Sequence, residues 1–95
     1  MELTVSDLVE STAGRDRGKL FYVIGTEGVY ALLVNGKDRP IERPKRKSLR
    51  HLRRVPVIES EVARMIRSGD KVLNAQLRRD LAIISQSLRS HNQGG

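Results

Sequence analysis

The sequence predicts a small, mainly β fold of the α+β class, in which a barrel or sandwich of short strands precedes two C-terminal helices. Apolar, β-branched and aromatic segments recur at intervals of about 8–12 residues through the first half of the chain. After Pro56 the hydrophobic period becomes that of a helix. The length of 95 residues suits one domain with a small core.

Five segments of the first half are candidate strands. The Asn35-Gly36 pair favours a tight turn, because both residues tolerate positive φ. Pro40 and Pro44 lack the N–H that a ladder needs, so any strand around them is short or at an edge. The candidates are DLVES (7–11), KLFYVIG (19–25), VYALLVNG (29–36), RPIERPK (39–45) and LRRVPV (52–57).

The first predicted helix lies within VIESEVARMIRSG (57–69). Glu59 and Glu61 fall in its first turn, where the helix dipole favours anions, and Gly69 ends it. This role explains the two carboxylates better than a catalytic pair does, because residues two apart point to different faces of a helix. The apolar positions at helical spacing are Ile58, Val62, Met65 and Ile66.

The second predicted helix covers NAQLRRDLAIISQSLRS (74–90) and begins at Asn74, a favourable N-cap residue. Its apolar stripe consists of Leu77, Leu81, Ile84 and Leu88. We expect the stripe to pack on the barrel, and a protein partner is the alternative. The predicted organisation is therefore a barrel over residues 1–57, helices over 58–90 and a disordered tail over 91–95.

The positive charge is concentrated in one short segment. Lys and Arg number 18 against 11 acids, for a net charge of +7. KRKSLRHLRR (45–54) contains six cations and no acid, whereas residues 1–44 have a net charge of −1. Such a run is self-repulsive, and RNA phosphate is the partner that best explains it. A solvated charge run and a nuclear address are the alternatives.

The stretch AGRDRGKL (13–20) contains two glycines and three cations and superficially suggests a nucleotide-binding P-loop. Only three residues separate Gly14 from Gly18, and Leu20 replaces the Mg²⁺-binding hydroxyl after Lys19. A strand pattern follows, so no helix N-terminus is available for phosphate. The pattern therefore argues against an NTPase.

A corner between two strands explains the same stretch better. Gly14 and Gly18 allow the backbone to turn, and Arg15, Arg17 and Lys19 project from the bend. We expect the one acid of the stretch, at position 16, to cap the turn through its own backbone. An ordinary hairpin with solvated charges is the alternative.

VSDLVESTAGRDRGKLFYVIG (5–25) resembles a KOW motif, the strand–loop–strand unit of several ribosomal proteins and transcription elongation factors. Gly14, Arg17, Gly18 and Lys19 match the Gly-x-x-[Lys/Arg]-Gly-[Lys/Arg] pattern of that motif. Many KOW motifs contain a further glycine two to three residues later, where this chain has Leu20-Phe21-Tyr22.

A wider resemblance, over residues 5–56, is to large-subunit ribosomal proteins of the "fourteen-e" type. It rests on AGRDRGK (13–19), LLVNG (32–36), PKRKSLRHL (44–52) and RRVP (53–56). The resemblance implies an SH3-like barrel that binds ribosomal RNA, with the loop between the first two strands as a common contact element. It therefore implies a non-catalytic RNA-binding protein that acts with the large ribosomal subunit.

The predicted RNA-binding residues come from the loop and the basic run. They are Arg15, Arg17, Lys19, Lys45, Arg46, Lys47, Arg50, His51, Arg53 and Arg54. The imidazole of His51 is expected to stack on a base or to pack at the barrel edge. A metal role is not expected, because the only other histidine is His91 in the predicted tail. Tyr22 and Tyr30, on neighbouring strands, are expected to be core or cross-strand partners.

Other function classes fit the sequence less well. A transcription-associated or DNA-binding KOW factor is the main alternative, whereas a peptide-binding SH3 module would need more than three aromatics. The absence of cysteine excludes disulfides and thiol catalysis. The N-terminus lacks the basic region of a secretory signal, and the run VYALLV is too short to span a membrane. We expect a cytoplasmic monomer with no cofactor, metal ion or small-molecule substrate.

Overall fold

The structure, a computed structural model, describes residues 2–57 and 59–93, with side chains as far as Ser90. It has one five-stranded antiparallel sheet and two C-terminal helices, which confirms the predicted α+β class. The strands are β1 (Leu8–Ser11), β2 (Leu20–Glu27), β3 (Tyr30–Val34), β4 (Lys45–Ser48) and β5 (Leu52–Arg54). The helices are α1 (Glu61–Ser68) and α2 (Asn74–Gln93).

The sheet is strongly curled. Its order is β4-β3-β2-β1-β5, so β4 and β5 are the two edges although they are consecutive in the chain. One turn of 3-10 helix, Leu49–His51, joins them. Four residue steps span at most about 14 Å, whereas the outer strands of a flat five-stranded sheet are about 19 Å apart. The edges therefore approach each other, although the described ladders do not pair β4 with β5.

Hydrophobic side chains are buried on both faces of this sheet. The inner, concave face gathers residues from the central and edge strands, including Val9, Phe21, Leu33 and Leu52. The outer face packs against α1 and α2 through a second cluster. Its main members are Leu8, Tyr22, Val34, Val62, Ala63, Leu77 and Leu81. The predicted stripe of α2 therefore packs on the sheet, with Ile84 and Leu88 at its margin.

The fourth strand is displaced from its predicted position. RPIERPK was expected to contain a short or edge strand, but residues 39–44 form loop and turns, and β4 begins at Lys45. Arg43 N donates to Pro40 O at 2.9 Å, which closes a turn between the two prolines. The strand is instead built from the cationic residues themselves, which changes how those residues are oriented.

Helix α1 begins later than its apolar spacing predicted. Ser60 is the N-cap, and its side chain accepts a hydrogen bond from Ala63 N. Glu61 is therefore in the first turn as expected, whereas Glu59 precedes the helix and pairs with Arg67. Gly69 ends the helix in the left-handed conformation, with φ of 79°. The predicted contact position at residue 58 lies outside the described residues.

The first residue of α2 has a different role from the one predicted. The Asn74 side chain does not cap its own helix: Oδ1 accepts from Ile41 N at 2.8 Å, and Nδ2 donates to Glu42. It therefore attaches the start of α2 to the loop before β4. The helix extends to Gln93, so residues 91–93 are helical rather than part of a tail, and 94–95 lie outside the described residues. Neither described helix has the length and apolar composition of a membrane span.

Tyr22 links the sheet to both helices, in addition to the core role expected of it. Its ring is 1% exposed, and its hydroxyl donates to Asp80 Oδ2 of α2 at 2.5 Å. The Tyr22 hydroxyl oxygen also lies 3.0 Å from the hydroxyl of Ser60, the N-cap of α1. Burial and the bond to Asp80 raise the Tyr22 pKa, so the phenol stays neutral.

Candidate nucleic-acid interface

The loop between β1 and β2 is a compact double turn. Arg17 N donates to Gly14 O, and Gly18 N donates to Ser11 O at 2.8 Å. Both glycines have positive φ, 84° and 87°, which confirms the conformational reason for their presence. A Cβ atom on Gly14 would also lie 3.5 Å from Lys47 Nζ. The loop is therefore tightly folded against a residue of β4.

Asp16 attaches this loop to β4. It is 7% exposed, and its Oδ1 accepts from Ser11 Oγ at 2.7 Å and from Lys47 Nζ at 2.8 Å. Lys45 Nζ lies 2.8 Å from the other carboxylate oxygen. The expectation that Asp16 caps its own turn is therefore wrong, because its carboxylate is directed at lysines about thirty residues away in the sequence.

The pKa of the Asp16 carboxyl reflects this environment. Burial alone would raise the pKa, but the contacts with the ammonium groups of Lys45 and Lys47 and the hydrogen bond from Ser11 outweigh it. The net result is a pKa well below the usual range of aspartate. The carboxylate is therefore charged at neutral pH and holds two ammonium groups in place.

Lys47 is a structural residue, not a surface cation. It is 9% exposed, and its ammonium donates to Ala13 O at 2.7 Å as well as to Asp16. In this arrangement Nζ is directed into the fold and away from any phosphate outside it. The structure therefore does not support Lys47 as an RNA-binding residue. Lys45 is half-buried beside the same carboxylate, so its ammonium group is only partly accessible to a phosphate.

The alternation of side chains along a strand explains this division. Lys45 and Lys47 pair with Leu33 and Ala31, which face the inner core. Arg46, between them, pairs with Leu32 and points to the outer face. Its guanidinium stacks on the Tyr30 ring at 3.8 Å from the centroid, so Tyr30 is the cross-strand partner that the sequence predicted.

The loop and the basic run nevertheless converge in space. Besides the Asp16 contacts, Thr12 N donates to the carbonyl of His51 at 2.9 Å. The two segments are thus adjacent both at β4 and at the 3-10 helix. The loop and the basic run are therefore adjacent, although the two lysines that connect them, Lys45 and Lys47, are directed at an internal carboxylate.

The exposed cations differ in how they are paired. Arg15, Arg17 and Arg50 are exposed and have no ion-pair partner among the described residues. The other outward cations of the predicted RNA-binding set each face one carboxylate. These pairs are Lys19–Asp38, Arg46–Glu27, Arg53–Glu10 and Arg54–Asp7. Exposed pairs of this kind contribute little, about 0–1 kcal/mol each, so phosphate can replace the carboxylate.

One further cation was missed by the sequence analysis. Arg39 lines a cavity of about 240 Å³ with Arg15, Lys19 and Lys45, beside Asp38. The side chain of Asn35, which accepts from Arg39 N at 3.0 Å, folds the loop after β3 back towards this position. Arg39 lies outside the basic run, and only the folded loop brings it to the surface formed by the β1–β2 loop.

His51 is exposed at the end of the 3-10 helix. Its carbonyl accepts the hydrogen bond from Thr12 N of the β1–β2 loop. Both roles expected of the ring, base stacking and packing at an edge, remain predictions.

In comparisons with known proteins, no family model and no curated protein matches this chain. The assignment of function therefore depends on the geometry and charges described above.

Proposed function

We propose that this protein is a non-catalytic RNA-binding module with an SH3-like barrel, which acts in the cytoplasm on or with the large ribosomal subunit. The proposal depends chiefly on one observation: the β1–β2 loop and the basic run are adjacent and present unpaired arginines to solvent. Such a surface favours a polyanion with an irregular backbone, and structured RNA fits that description.

The curled sheet supports the barrel assignment. In a small barrel of five short strands the two outer strands of the sheet approach each other. Here the outer strands are β4 and β5, and a three-residue 3-10 helix connects them. The glycines of the KOW resemblance lie in the β1–β2 loop, where the family has its RNA-contact element, and both have the backbone conformation that this loop needs.

The unpaired arginines supply the attraction. Arg15, Arg17 and Arg50 gain an opposite charge on binding phosphate and give up no internal ion pair. Each phosphate neutralised releases condensed counterions, so binding becomes steeply dependent on salt. With three to six phosphate contacts, a fourfold rise in salt should reduce the affinity by about one to three decades.

The first test measures the affinity for a structured ribosomal RNA fragment by fluorescence anisotropy over a salt series. In one variant Arg15 and Arg17 are both changed to Gln. We expect about a tenfold or greater loss of affinity and a shallower salt dependence, with an unchanged circular dichroism spectrum. The matched control changes Lys71 and Arg89 to Gln, which removes the same charge from the helical part of the molecule.

The outcomes separate the possibilities. Equal losses for the two double variants would mean that only net charge matters, and a flat salt titration would overturn the electrostatic basis of the proposal. Tighter binding to duplex DNA than to RNA would favour the transcription-associated alternative. Co-sedimentation with large ribosomal subunits then tests the proposed association with the ribosome. We expect the wild-type protein in the large-subunit fraction and the Arg15/Arg17 double variant to be lost from it.

A further inference from the structure

A cleft lies where the turn between β2 and β3 meets the 3-10 helix. Its volume is about 770 Å³, within the range of about 300–1,000 Å³ that is typical of ligand sites. Its walls come from the start of β3, the 3-10 helix and β5. The residues that define its chemistry are Val29, Tyr30, Leu49, Arg50, Leu52 and Arg53.

Part of the cleft lining is apolar, and a backbone hydrogen bond holds it in place. Val29 is 65% exposed, the highest value among the large hydrophobic side chains of the described residues. Its carbonyl accepts from Leu49 N at 2.9 Å, which fixes the 3-10 helix against the hairpin. An apolar surface of this kind is stabilised when a flat, apolar group covers it.

Two arginines, Arg50 and Arg53, make the cleft lining positive. Arg50 is unpaired within the described part of the chain, and Arg53 holds Glu10 through an exposed pair. None of the residues that line the cleft is acidic. An apolar surface flanked by two arginines is complementary to a nucleotide, because a nucleobase has apolar faces and the phosphate is anionic; an apolar peptide side chain alone would leave the arginines without a partner.

The aromatic ring in the wall is already fixed before binding. Arg46 lies over one face of Tyr30, at 3.8 Å from the ring centroid, and also pairs with Glu27. Tyr30 lines the cleft, whereas Arg46 does not. A ring that is held by a neighbour loses less rotational freedom when a base packs against it.

From these observations we infer that the cleft receives one unpaired nucleobase of the bound RNA, with Arg50 and Arg53 on the adjacent phosphates. The inference rests on the proposed function, because the RNA must already lie on the neighbouring cationic surface. The inference also specifies the RNA ligand: an RNA with a bulge or loop nucleotide is preferred to an uninterrupted duplex.

The test uses the full chain and two RNA hairpins, one with a single bulged 2-aminopurine and one with the same stem and no bulge. We expect the bulged hairpin to bind about tenfold more tightly, with quenched fluorescence when the base stacks. Val29→Ser and Tyr30→Ala should bring the ratio of affinities close to one. Ile83→Ser is the matched control, because Ile83 is 61% exposed on α2 and should leave the ratio unchanged.

A second pair of variants separates stacking from folding. Tyr30→Phe retains the ring and should keep the preference for the bulge. If Tyr30→Ala loses the folded spectrum, the ratio of affinities for the two hairpins is measured with Val29→Ser and Arg50→Gln instead, since both positions are on the surface. Equal binding of the two hairpins by the wild-type protein, with unquenched fluorescence, would overturn the inference but leave the proposed function intact. Failure of both hairpins to bind at low salt would refute the proposed function itself.

Discussion

The two faces of β4 use the same type of residue for opposite purposes. On the inner face, Lys45 and Lys47 hold the buried carboxylate of Asp16 and fix the β1–β2 loop. On the outer face, Arg46 lies over Tyr30 and stays more than half exposed. Residues that are adjacent in sequence therefore divide into a structural pair and a surface cation.

The difference shows that charge alone does not define a binding surface. Two of the six cations in the basic run contact an internal carboxylate, so its effective external charge is lower than the composition indicates. In return, the loop that presents Arg15 and Arg17 acquires a fixed shape. A buried, paired ammonium contributes to binding only through that shape.

The largest effect should come from disrupting the inner face. Lys47→Met leaves Asp16 buried with one fewer cation, and loss of one partner from a buried pair costs about 3–5 kcal/mol. Arg46→Met, on the outer face of the same strand, should cost about 1 kcal/mol or less. Urea unfolding at pH 7 measures both. Equal free energies of unfolding for the two variants would contradict the division between the faces.

A pH titration should sharpen the same comparison with a smaller effect. The pKa of Asp16 is lowered in the folded protein by its lysine partners, whereas an unfolded aspartate titrates near about 3.9. Between the folded and unfolded pKa values the unfolded chain binds more protons, so stability falls as the pH decreases. The contribution of Asp16 is therefore fully present above pH 5 and is lost progressively on acidification below it.

Asp16→Asn isolates this contribution. The variant should be less stable than the wild type at pH 7, and the difference should shrink as the pH approaches the folded pKa of Asp16. Asp38→Asn is the control: the pKa of this exposed carboxyl is lowered by the hydrogen bond from Lys19, but solvent screens the pair. Parallel stability curves for wild type and Asp16→Asn from pH 7 to pH 2 would show that Lys45 and Lys47 do not stabilise the Asp16 carboxylate.

The smallest effect on stability, with a selective effect on binding, is expected at the outer pairs. Arg53→Gln removes an exposed pair with Glu10 and should change the free energy of unfolding by less than about 1 kcal/mol. Loss of one phosphate contact should still weaken RNA binding and reduce the salt slope by about one. Arg64→Gln, which breaks a similar exposed pair with Glu61 on α1, should leave RNA affinity unchanged. The same loss of affinity in both variants would argue against a localised interface.

Local patterns were sufficient for several parts of the fold. The glycines at 14, 18 and 69 all have the positive φ that their positions suggested. The stripe through Leu77 and Leu81 packs on the sheet because helical periodicity depends only on spacing along one element.

Other features required knowledge of strand register. The run 45–54 has no apolar alternation that would show which cations face inwards, so Lys47 looked equivalent to Arg46. The start of β4 depends on pairing with β3, where Lys47 lies opposite Ala31. A shift of one residue would exchange the two faces. The role of Asn74, which binds the loop at Ile41, is equally nonlocal.

From the sequence by itself follow the α+β class, the turn positions, the apolar stripe of α2 and the segregation of charge, because each depends on residues close together in the chain. The tertiary structure alone decided which cations are internal, that Asp16 is their shared partner, and that Arg39 joins the surface. These properties depend on the pairing of segments about twenty to thirty residues apart, and the energy of a buried charge depends on which opposite charge the fold brings next to it.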